Sequence, residues 1–311
     1  MANTGSRGPL TVLRAGWLFD GIGSALIPDP VVVIDGTTIR AVHSGGTIPA
    51  GAPVIDLAGA TLLPGLVDTH VHLAFDASTD PVGSLARRED AEVVQAMARA
   101  GRTALLGGVT TVRDLGDRGY LSLELRGQPG LPTIVAAGPP ITTPGGHCHY
   151  LGGAAAPTIE GVRAAVREHA ARGVDVIKIM ASGGNLTPGS RQDLAQFPAG
   201  VLRAAVDEAH RLGLGVTVNV ALNLTTSDGF WSREQLVRSY AEATTLPLDH
   251  LQACLGLACL KLAVVMESIH FRHRSGQALD PLSAGLGEAA PALLELGLAV
   301  AGGQGLAGLA A

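Results

Sequence analysis

The strongest chemical signal in the sequence is a pair of histidines at the end of an apolar run. Residues 66–72 read LVDTHVH, and because strand side chains alternate between two faces, His70 and His72 would lie on one face. Two imidazoles at the carboxyl end of a barrel strand can bind one metal ion, with Asp68 as a neighbouring acid. This spacing favours metal ligands over a pair of structural histidines.

A second signal is a lone cation within an apolar strand. Residues 174–180 read VDVIKIM, with Lys178 near the end. A buried lysine is costly to keep charged and tends to lose its proton. The neutral amine could react with carbon dioxide to give a carbamate that bridges two cations, or it could form a Schiff base. Alternatively, Lys178 could stay charged in a simple ion pair. The strand alone leaves these three alternatives open.

Two glycine-rich loops follow predicted strands and carry polar side chains. Residues 145–153 read GGHCHYLGG, in which His147, His149 and Tyr150 could donate hydrogen bonds to a substrate. The alternative for this loop is a rigid surface turn with incidental histidines. The second loop ends in Asn185, whose amide could hold a substrate carbonyl or carboxylate together with backbone N–H groups.

The elements that must position these residues follow from changes of pattern along the chain. Short apolar runs separated by Asp-Gly and proline turns predict a small N-terminal β-sandwich over residues 1–63. From residue 64 to 311, a helix, a glycine and an apolar strand recur at intervals of about forty residues, which favours a TIM-like (β/α)8 barrel, complete or incomplete. The predicted strands start near residues 66, 109, 133, 174 and 216, and the predicted helices cover 90–106, 158–172 and 198–212.

The pattern becomes atypical after about residue 218. An i, i+3, i+4 stripe of apolar residues predicts one amphipathic helix over residues 251–266. Further on, a helix over residues 288–296, a stop at Gly297 and a strand over residues 298–301 would form a last copy of the repeat.

Composition excludes several classes of function. The chain of 311 residues is 47% apolar and 16% charged, so it can bury a large core and is not disordered in bulk. Its net charge of −5 and its aromatic content of 3% disfavour nucleic acid and membrane surfaces as partners. Three cysteines without CxxC spacing, and the lack of an apolar leader or spanning segment, predict a cytoplasmic protein with reduced thiols.

Four segments together resemble the amidohydrolase superfamily, in its imidazolonepropionase-like and Xaa-Pro dipeptidase-like branch. They are LLPGLVDTHVH at 62–72, GVTTVRD at 108–114, the GGHCHYLGG loop and VIKIMASGG at 176–184, and the likeness extends over about residues 9–218. The resemblance implies a TIM barrel with a β-sandwich and a centre of two zinc ions. In such a centre His70 and His72 would bind one ion and carboxylated Lys178 would bridge both. A metal-activated water would then cleave an amide or related C–N bond.

The last third departs from that pattern at positions that matter for catalysis. The family's fifth strand carries a histidine ligand where this chain has Asn219, and its eighth strand carries a general-base aspartate where this chain has Gln304. Glutamine cannot accept a proton, and both amides are weak zinc ligands. The sixth-strand histidine has no clear counterpart. The remaining candidates, each at or beyond an end of the predicted helix, are His250, His270 and His273.

Three interpretations follow from these residues. The first is a metal-dependent amidohydrolase of a dipeptide or other small-molecule amide, with its substrate contacted by His147, His149, Tyr150 and Asn185. The second is an impaired or non-catalytic barrel that keeps one zinc ion or none, and the third is a Schiff-base barrel on Lys178. Asp68 and Asp114 are alternative bases, and a homo-oligomer is left open.

Overall fold

The computed structural model describes residues 10–22, 25–184, 186–191, 193–219, 251–276 and 282–302, together with residues 235, 238 and 242. The chain divides into two compact units. The first comprises Met1–Asp68 and Thr103–Val112, and the second comprises Thr69–Arg102 and Arg113–Ala311.

The first unit is built on a five-stranded sheet. Its central strand β1 pairs antiparallel with β2 and β3, β3 pairs antiparallel with β4, and β5 lies parallel to β1. Gly36 has a positive φ of 60° in the β3–β4 turn, as the Asp-Gly hairpin signal predicts. The second layer of the predicted sandwich stays a prediction. The strands are β1 (Leu10–Leu18), β2 (Ile27–Pro28), β3 (Pro30–Asp35), β4 (Thr38–Ser44) and β5 (Val54–Leu62).

Five further strands follow one another in space in the order of the sequence. β6, β7 and β8 form one sheet and β9 pairs parallel with β10. Backbone bonds join the two groups, since Asp175 donates to Ala136 at 2.8 Å and Ile141 donates to Lys178 at 2.8 Å. The strands are β6 (Leu66–Val71), β7 (Val109–Asp114), β8 (Thr133–Ala136), β9 (Val176–Met180) and β10 (Gly215–Asn219).

Helices alternate with these strands, which is the arrangement of an α/β protein. The helices are α1 (Pro81–Ala86), α2 (Asp90–Leu106), α3 (Ser122–Leu125), α4 (Ile159–Arg172), α5 (Ala199–Arg211), α6 (Leu251–Arg274) and α7 (Leu282–Ala301). The described residues after β10 contain helix and no strand, so closure of an eight-stranded barrel stays a prediction. None of the described helices is both long and apolar enough to cross a membrane.

Local signals set the limits of α4 as the sequence predicts. The Thr158 hydroxyl accepts a hydrogen bond from the Gly161 N–H at 3.1 Å and so caps the first turn. Gly173 ends the helix in the left-handed conformation, with φ of 84°. Because the cap and the stop are correctly placed, the chain leaves α4 directly into β9.

The core of the second unit determines which side chains of β9 face inward. Ile177 and Ile179 pack in a buried cluster with side chains of α4 and α5. Neighbouring residues in a strand point to opposite faces, so Lys178 lies on the face away from those helices. The helix residues of this cluster are Val162, Val166, Val201, Ala204, Ala205 and Ala209.

Two expectations for the last third are wrong. Residues 298–301 were expected to form a strand but belong to α7, and α6 continues to Arg274, so that His270 and His273 lie inside it. Gly297 is a packing position rather than a stop, because a Cβ atom added there would lie 3.0 Å from the Cβ of Cys259 on α6. An isolated glycine costs a helix only about 1 kcal/mol, which the close approach of two helices can offset.

Candidate active site

His70 and His72 come together at the carboxyl end of β6. Their ring centroids are 5.3 Å apart, and the rings meet edge to face at 63°. His72 Nδ1 lies 3.0 Å from the carbonyl oxygen of Gly116, so this nitrogen donates the hydrogen bond. That bond fixes the tautomer and leaves the lone pair of His72 on Nε2, where a metal ion could bind.

Asp114 at the end of β7 holds the backbone around His72. One carboxylate oxygen accepts from the Leu73 N–H at 3.2 Å, and the other accepts from the Gly116 N–H at 3.1 Å. A Cβ atom added at Gly116 would lie 3.1 Å from the His72 ring, so glycine gives the imidazole its room. Asp114 therefore sets both the strand end that carries His72 and the carbonyl that orients it.

Asp114 belongs to a pair of buried acids. Burial raises the pKa of Asp114 well above its usual range, and the negative charge of Asp117 raises it further. Burial also raises the pKa of Asp117, whose carboxylate accepts from the Ser122 N–H. Simultaneous ionisation of Asp114 and Asp117 is therefore disfavoured, because the two carboxylates would repel each other in a buried site.

Lys178 is buried on the inner face of β9, with 2% of its surface exposed. Burial lowers the pKa of its amine from 10.5 to about 8, and the positive charge of Arg113 lowers it further, while Cys148 opposes the shift. Among the described residues no carboxylate forms an ion pair with this side chain. A sizeable fraction of the amine is therefore neutral near physiological pH, as the sequence predicts for a buried lysine.

Electrostatics tie the histidines to this lysine. Burial lowers the pKa of His70 to about 4, and the charges of Lys178 and His72 add to the shift. Burial and Lys178 likewise lower the pKa of His72. For His147, burial lowers the pKa first, and then His72 and Lys178 do so. The three imidazoles are neutral at pH 7, so their lone pairs are free of protons.

His147 is the buried member of the glycine-rich loop, with 7% of its surface exposed. A Cβ atom added at Gly184 would lie 2.4 Å from the His147 Nε2, so only glycine at position 184 lets the loop after β9 run this close to the imidazole. Its Nδ1 is buried and has no hydrogen-bond partner among the described residues. A ligand that enters the site would find this nitrogen unsatisfied.

The other predicted substrate contacts are less enclosed. His149 is exposed, its Nδ1 donates to the Gly146 carbonyl at 2.9 Å, and its ring stacks edge to face on Tyr150. The Tyr150 hydroxyl lies 3.5 Å from the Leu186 carbonyl and 3.7 Å from the Cys148 sulfur. Of the two loop histidines, His147 is buried and lies close enough to His72 for its charge to lower the pKa of His147, whereas His149 is exposed.

Asn219 ends β10, directly opposite Met180 in the register with β9. Thr217 is opposite Lys178, so Asn219 lies two residues further along the same face of the sheet. Asn185, Gln304 and His250 lie outside the described residues. Gln304 follows helix α7, where a barrel strand was expected.

His70 and His72 are the candidate donors to a metal ion at this site. Within the described part of the chain, no three His, Cys, Asp or Glu side chains converge closely enough to hold a metal. His70 and His72 could each supply a neutral nitrogen, and Lys178, if carboxylated, could supply an oxygen; these are donor types that zinc takes in proteins. The described residues hold no second set of this kind.

Gln196 was not identified from the sequence, although it contacts this site. It stands alone before Phe197 and Pro198, with no periodic or motif context. Its side chain hydrogen-bonds to the backbone of His147 and to the end of β9. The contact to His147 spans 49 residues of chain and the contact to Met180 spans 16, and no local pattern encodes them.

Comparisons with known proteins agree with this architecture. Residues 61–258 match the family model described as the Amidohydrolase family. Ochratoxinase from Aspergillus niger is 27% identical over 260 residues, which cover 68% of this chain and 50% of that protein. The chain thus spans half the length of this relative.

Solved structures of related fold also match the chain. The crystal structure of A. niger ochratoxinase superposes with a TM-score of 0.59 at 27% identity, over 70% of this chain and 56% of that one. A crystal structure of a Xaa-Pro dipeptidase with bound methionine in its active site has a TM-score of 0.68 at 23% identity. That match covers 94% of this chain and 74% of the dipeptidase, and it supports the fold alone.

Proposed function

Because the chain belongs to the amidohydrolase family, we propose that it is a metal-dependent hydrolase of an amide or peptide-like C–N bond. One observation carries the proposal. Two neutral imidazoles and a buried lysine of lowered pKa lie in one electrostatically coupled cluster at the ends of β6 and β9. Perturbed groups gathered at strand ends are typical of a catalytic site in this architecture.

Zinc is the proposed metal, held by His70, His72 and carboxylated Lys178. The neutral Lys178 amine would attack carbon dioxide, forming an N–C bond and releasing one proton to solvent. The resulting carbamate would supply an anionic oxygen that the lysine itself lacks. When bound, the metal lowers the pKa of a water molecule and polarises the substrate carbonyl.

The substrate class we propose is a dipeptide or another small-molecule amide, such as a cyclic amide. The unsatisfied Nδ1 of His147 would bind its carbonyl or its carboxylate. His149, Tyr150 and Asn185 would complete the substrate contacts from the same two loops. Charged side chains flank the site as well, and Arg113 lies close enough to lower the pKa of Lys178.

An impaired hydrolase is the second candidate. It is favoured by the lack, among the described residues, of a third histidine, cysteine or carboxylate ligand beside the histidine pair. Asn219 and Gln304 stand where resemblance to the family leads one to expect a ligand and a base, and neither amide accepts a proton near neutral pH. General-base assistance contributes about 10²–10⁴ in rate, so turnover would be lower by that factor.

Metal analysis and a dipeptide panel test the proposal. Protein purified without added zinc would be loaded with zinc and bicarbonate, and its metal content and hydrolysis measured together. We expect about one zinc per chain instead of the two that the resemblance implies, lost in His72→Ala and kept in His43→Ala, an exposed histidine of the first unit. Because the impaired barrel could also hold one ion, hydrolysis by the zinc-loaded protein separates the two candidates. Absence of bound zinc in the loaded protein would contradict the proposal. Metal-free activity trapped by borohydride would assign Lys178 to Schiff-base chemistry instead.

A further inference from the structure

The carboxamide of Gln196 joins the glycine-rich loop to the end of β9. Its Oε1 accepts from the His147 backbone N–H at 2.8 Å and from the Thr142 hydroxyl at 3.0 Å. Its Nε2 donates to the carbonyls of Met180 at 2.9 Å and Ser182 at 2.7 Å. One side chain therefore satisfies polar groups from two separate segments.

The groups that bond to the Gln196 carboxamide are buried, and Gly146 lies close against it. Thr142, Met180 and Ser182 are all buried, so a backbone or hydroxyl group left without a partner here would carry the cost of desolvation. A Cβ atom added at Gly146 would lie 1.9 Å from Gln196 Oε1. Glycine at 146 is thus required for the amide to reach the loop.

A second side chain of the same segment holds the next residue of the loop. The Thr187 hydroxyl accepts from the Cys148 N–H at 2.9 Å. Cys148 has a left-handed backbone, with φ of 58°, which a non-glycine residue adopts only when its surroundings impose it. Successive N–H groups, of His147 and Cys148, are therefore both fixed from the segment that follows β9.

We infer that Gln196 is a positioning residue that holds His147 in place relative to the end of β9, and so relative to Lys178. The inference about turnover rests on the proposed function, whereas the clamp rests on the contacts alone. The carboxamide accepts two hydrogen bonds from the loop at its oxygen and donates two N–H groups toward the end of β9, a combination that no other side-chain type offers from one planar group. A glutamate would keep the acceptor and set a carboxylate against two carbonyls.

Cys148 provides a reporter of the clamp that needs no activity. Its thiol is buried, with 2% of its surface exposed, and can react with a disulfide reagent only when the loop opens. With Cys254→Ala and Cys259→Ala as background, the rate of Cys148 modification by an aromatic disulfide measures that opening.

In this background, Gln196→Met should raise the modification rate by about tenfold or more, because the loop loses its bonds to β9. Gln128→Met is the matched control, since the side chain of the exposed Gln128 donates to the Glu124 carbonyl of its own turn and bridges no two segments in the described structure. Thr187→Val removes the neighbouring bond and should raise the rate less. A Gln196→Met rate within about twofold of the background would overturn the clamp.

Kinetics separate positioning from general damage. Misplacing a substrate-contacting group by about 1 Å can cost about 10²-fold, so Gln196→Met should lower kcat/KM by about that factor while its zinc content stays at the wild-type level. Gln196→Glu keeps the acceptor for His147 but sets a carboxylate against the Met180 and Ser182 carbonyls, so it should lose kcat/KM as well. Equal kcat/KM in wild type and Gln196→Met would overturn the role in turnover.

If the wild type turns over no substrate, the proposed function fails, and the rate of Cys148 modification still decides whether Gln196 holds the loop. If Gln196→Met does not fold, Gln196→Glu and Thr187→Val provide the same comparison.

Discussion

The strand ends of the second unit and its helical hairpin use their residues in different ways. At the ends of β6 and β9, glycines make room for imidazoles, and charged groups are buried with shifted pKa values. In the hairpin of α6 and α7, glycines let two helices approach, since a Cβ atom at Gly256 would lie 3.2 Å from the Gly297 carbonyl.

The hairpin also leaves much of its apolar surface uncovered. Leu257, Leu260, Val264 and Phe271 of α6 are exposed. Its described link to the histidine pair is a hydrogen bond of 3.0 Å from Lys261 Nζ to the His70 carbonyl. Among the described residues, the buried polar groups that could bind a metal lie at the strand ends and not in the hairpin. Substitutions at the strand ends should therefore lower hydrolysis and zinc binding far more than substitutions in the hairpin.

The largest effect is expected at Lys178. Lys178→Met keeps the volume but removes the amine, so hydrolysis should fall by about 10²–10³-fold through loss of electrostatic stabilisation. Thermal stability should stay equal or rise, because an apolar side chain replaces a costly buried cation. Activity assays and thermal melts measured on the same protein would check this. A variant that loses stability and activity together would assign Lys178 a structural role.

A pH dependence of stability sharpens the same point. Between pH about 8 and 10.5 the unfolded chain binds a proton at Lys178 that the folded chain has released. The free energy of unfolding should therefore rise with pH across this window, by at most about 3 kcal/mol. Well below pH 8, about one pH unit or more, both states are protonated at Lys178 and its contribution no longer changes with pH.

Denaturant unfolding at pH 7.5 to 10 would measure this rise, with metal and carbon dioxide removed. The chain has one other lysine, Lys261, so the relevant quantity is the difference between wild type and Lys178→Met, in which every other group is shared. Parallel pH curves for the two proteins would mean that the lysine is as hydrated in the folded chain as in the unfolded one.

Asp114 should have an intermediate effect through His72. Asp114→Asn keeps one acceptor but turns an NH2 group toward a backbone N–H, so the Gly116 carbonyl that orients His72 should shift. Loss of such an outer contact typically lowers metal affinity about 10–100-fold. Zinc titration with a competing chelator would measure it. Asp207→Asn, on the exposed side of α5, is the control, and equal affinities in both variants would remove Asp114 from the site.

The smallest effect is expected in the hairpin. Lys261→Met removes the exposed hydrogen bond to the His70 carbonyl, worth about 1 kcal/mol of stability, and a positive charge that contributes to the lowered pKa of His70, but it changes no side chain that would bind the metal. Zinc content and hydrolysis should stay within about threefold of wild type. A loss as large as that of Lys178→Met would show that α6 is part of the catalytic site and would end the contrast between the two regions.

Local pattern was enough for much of the fold. Alternation placed His70 and His72 together, the apolar run around Lys178 predicted its burial, and Thr158 and Gly173 marked the ends of α4. Each of these depends on residues close in sequence, because strand and helix periods are properties of the local backbone.

The same rules failed where a glycine had a distant partner. The sequence predicts that a helix ends at Gly297, yet Gly297 lies inside α7 and packs against Cys259 of α6. Periodicity also predicted that α6 would end at residue 266, whereas it continues to Arg274. Both errors concern the hairpin, where packing against a neighbouring helix decides more than propensity does.

The sequence by itself determined which residue types carry the chemistry and the strand ends on which they stand. Only the tertiary structure decided which of them are buried and what holds them: His147 is buried within the electrostatic reach of His72 while His149 stays exposed, and Asp114 and Gln196 hydrogen-bond to the backbone around these side chains. The physical reason is that a backbone period fixes the face of a side chain, whereas its partners depend on hydrogen bonds that span forty or so residues of chain. Such bonds form only when the segments pack, and no local pattern records them.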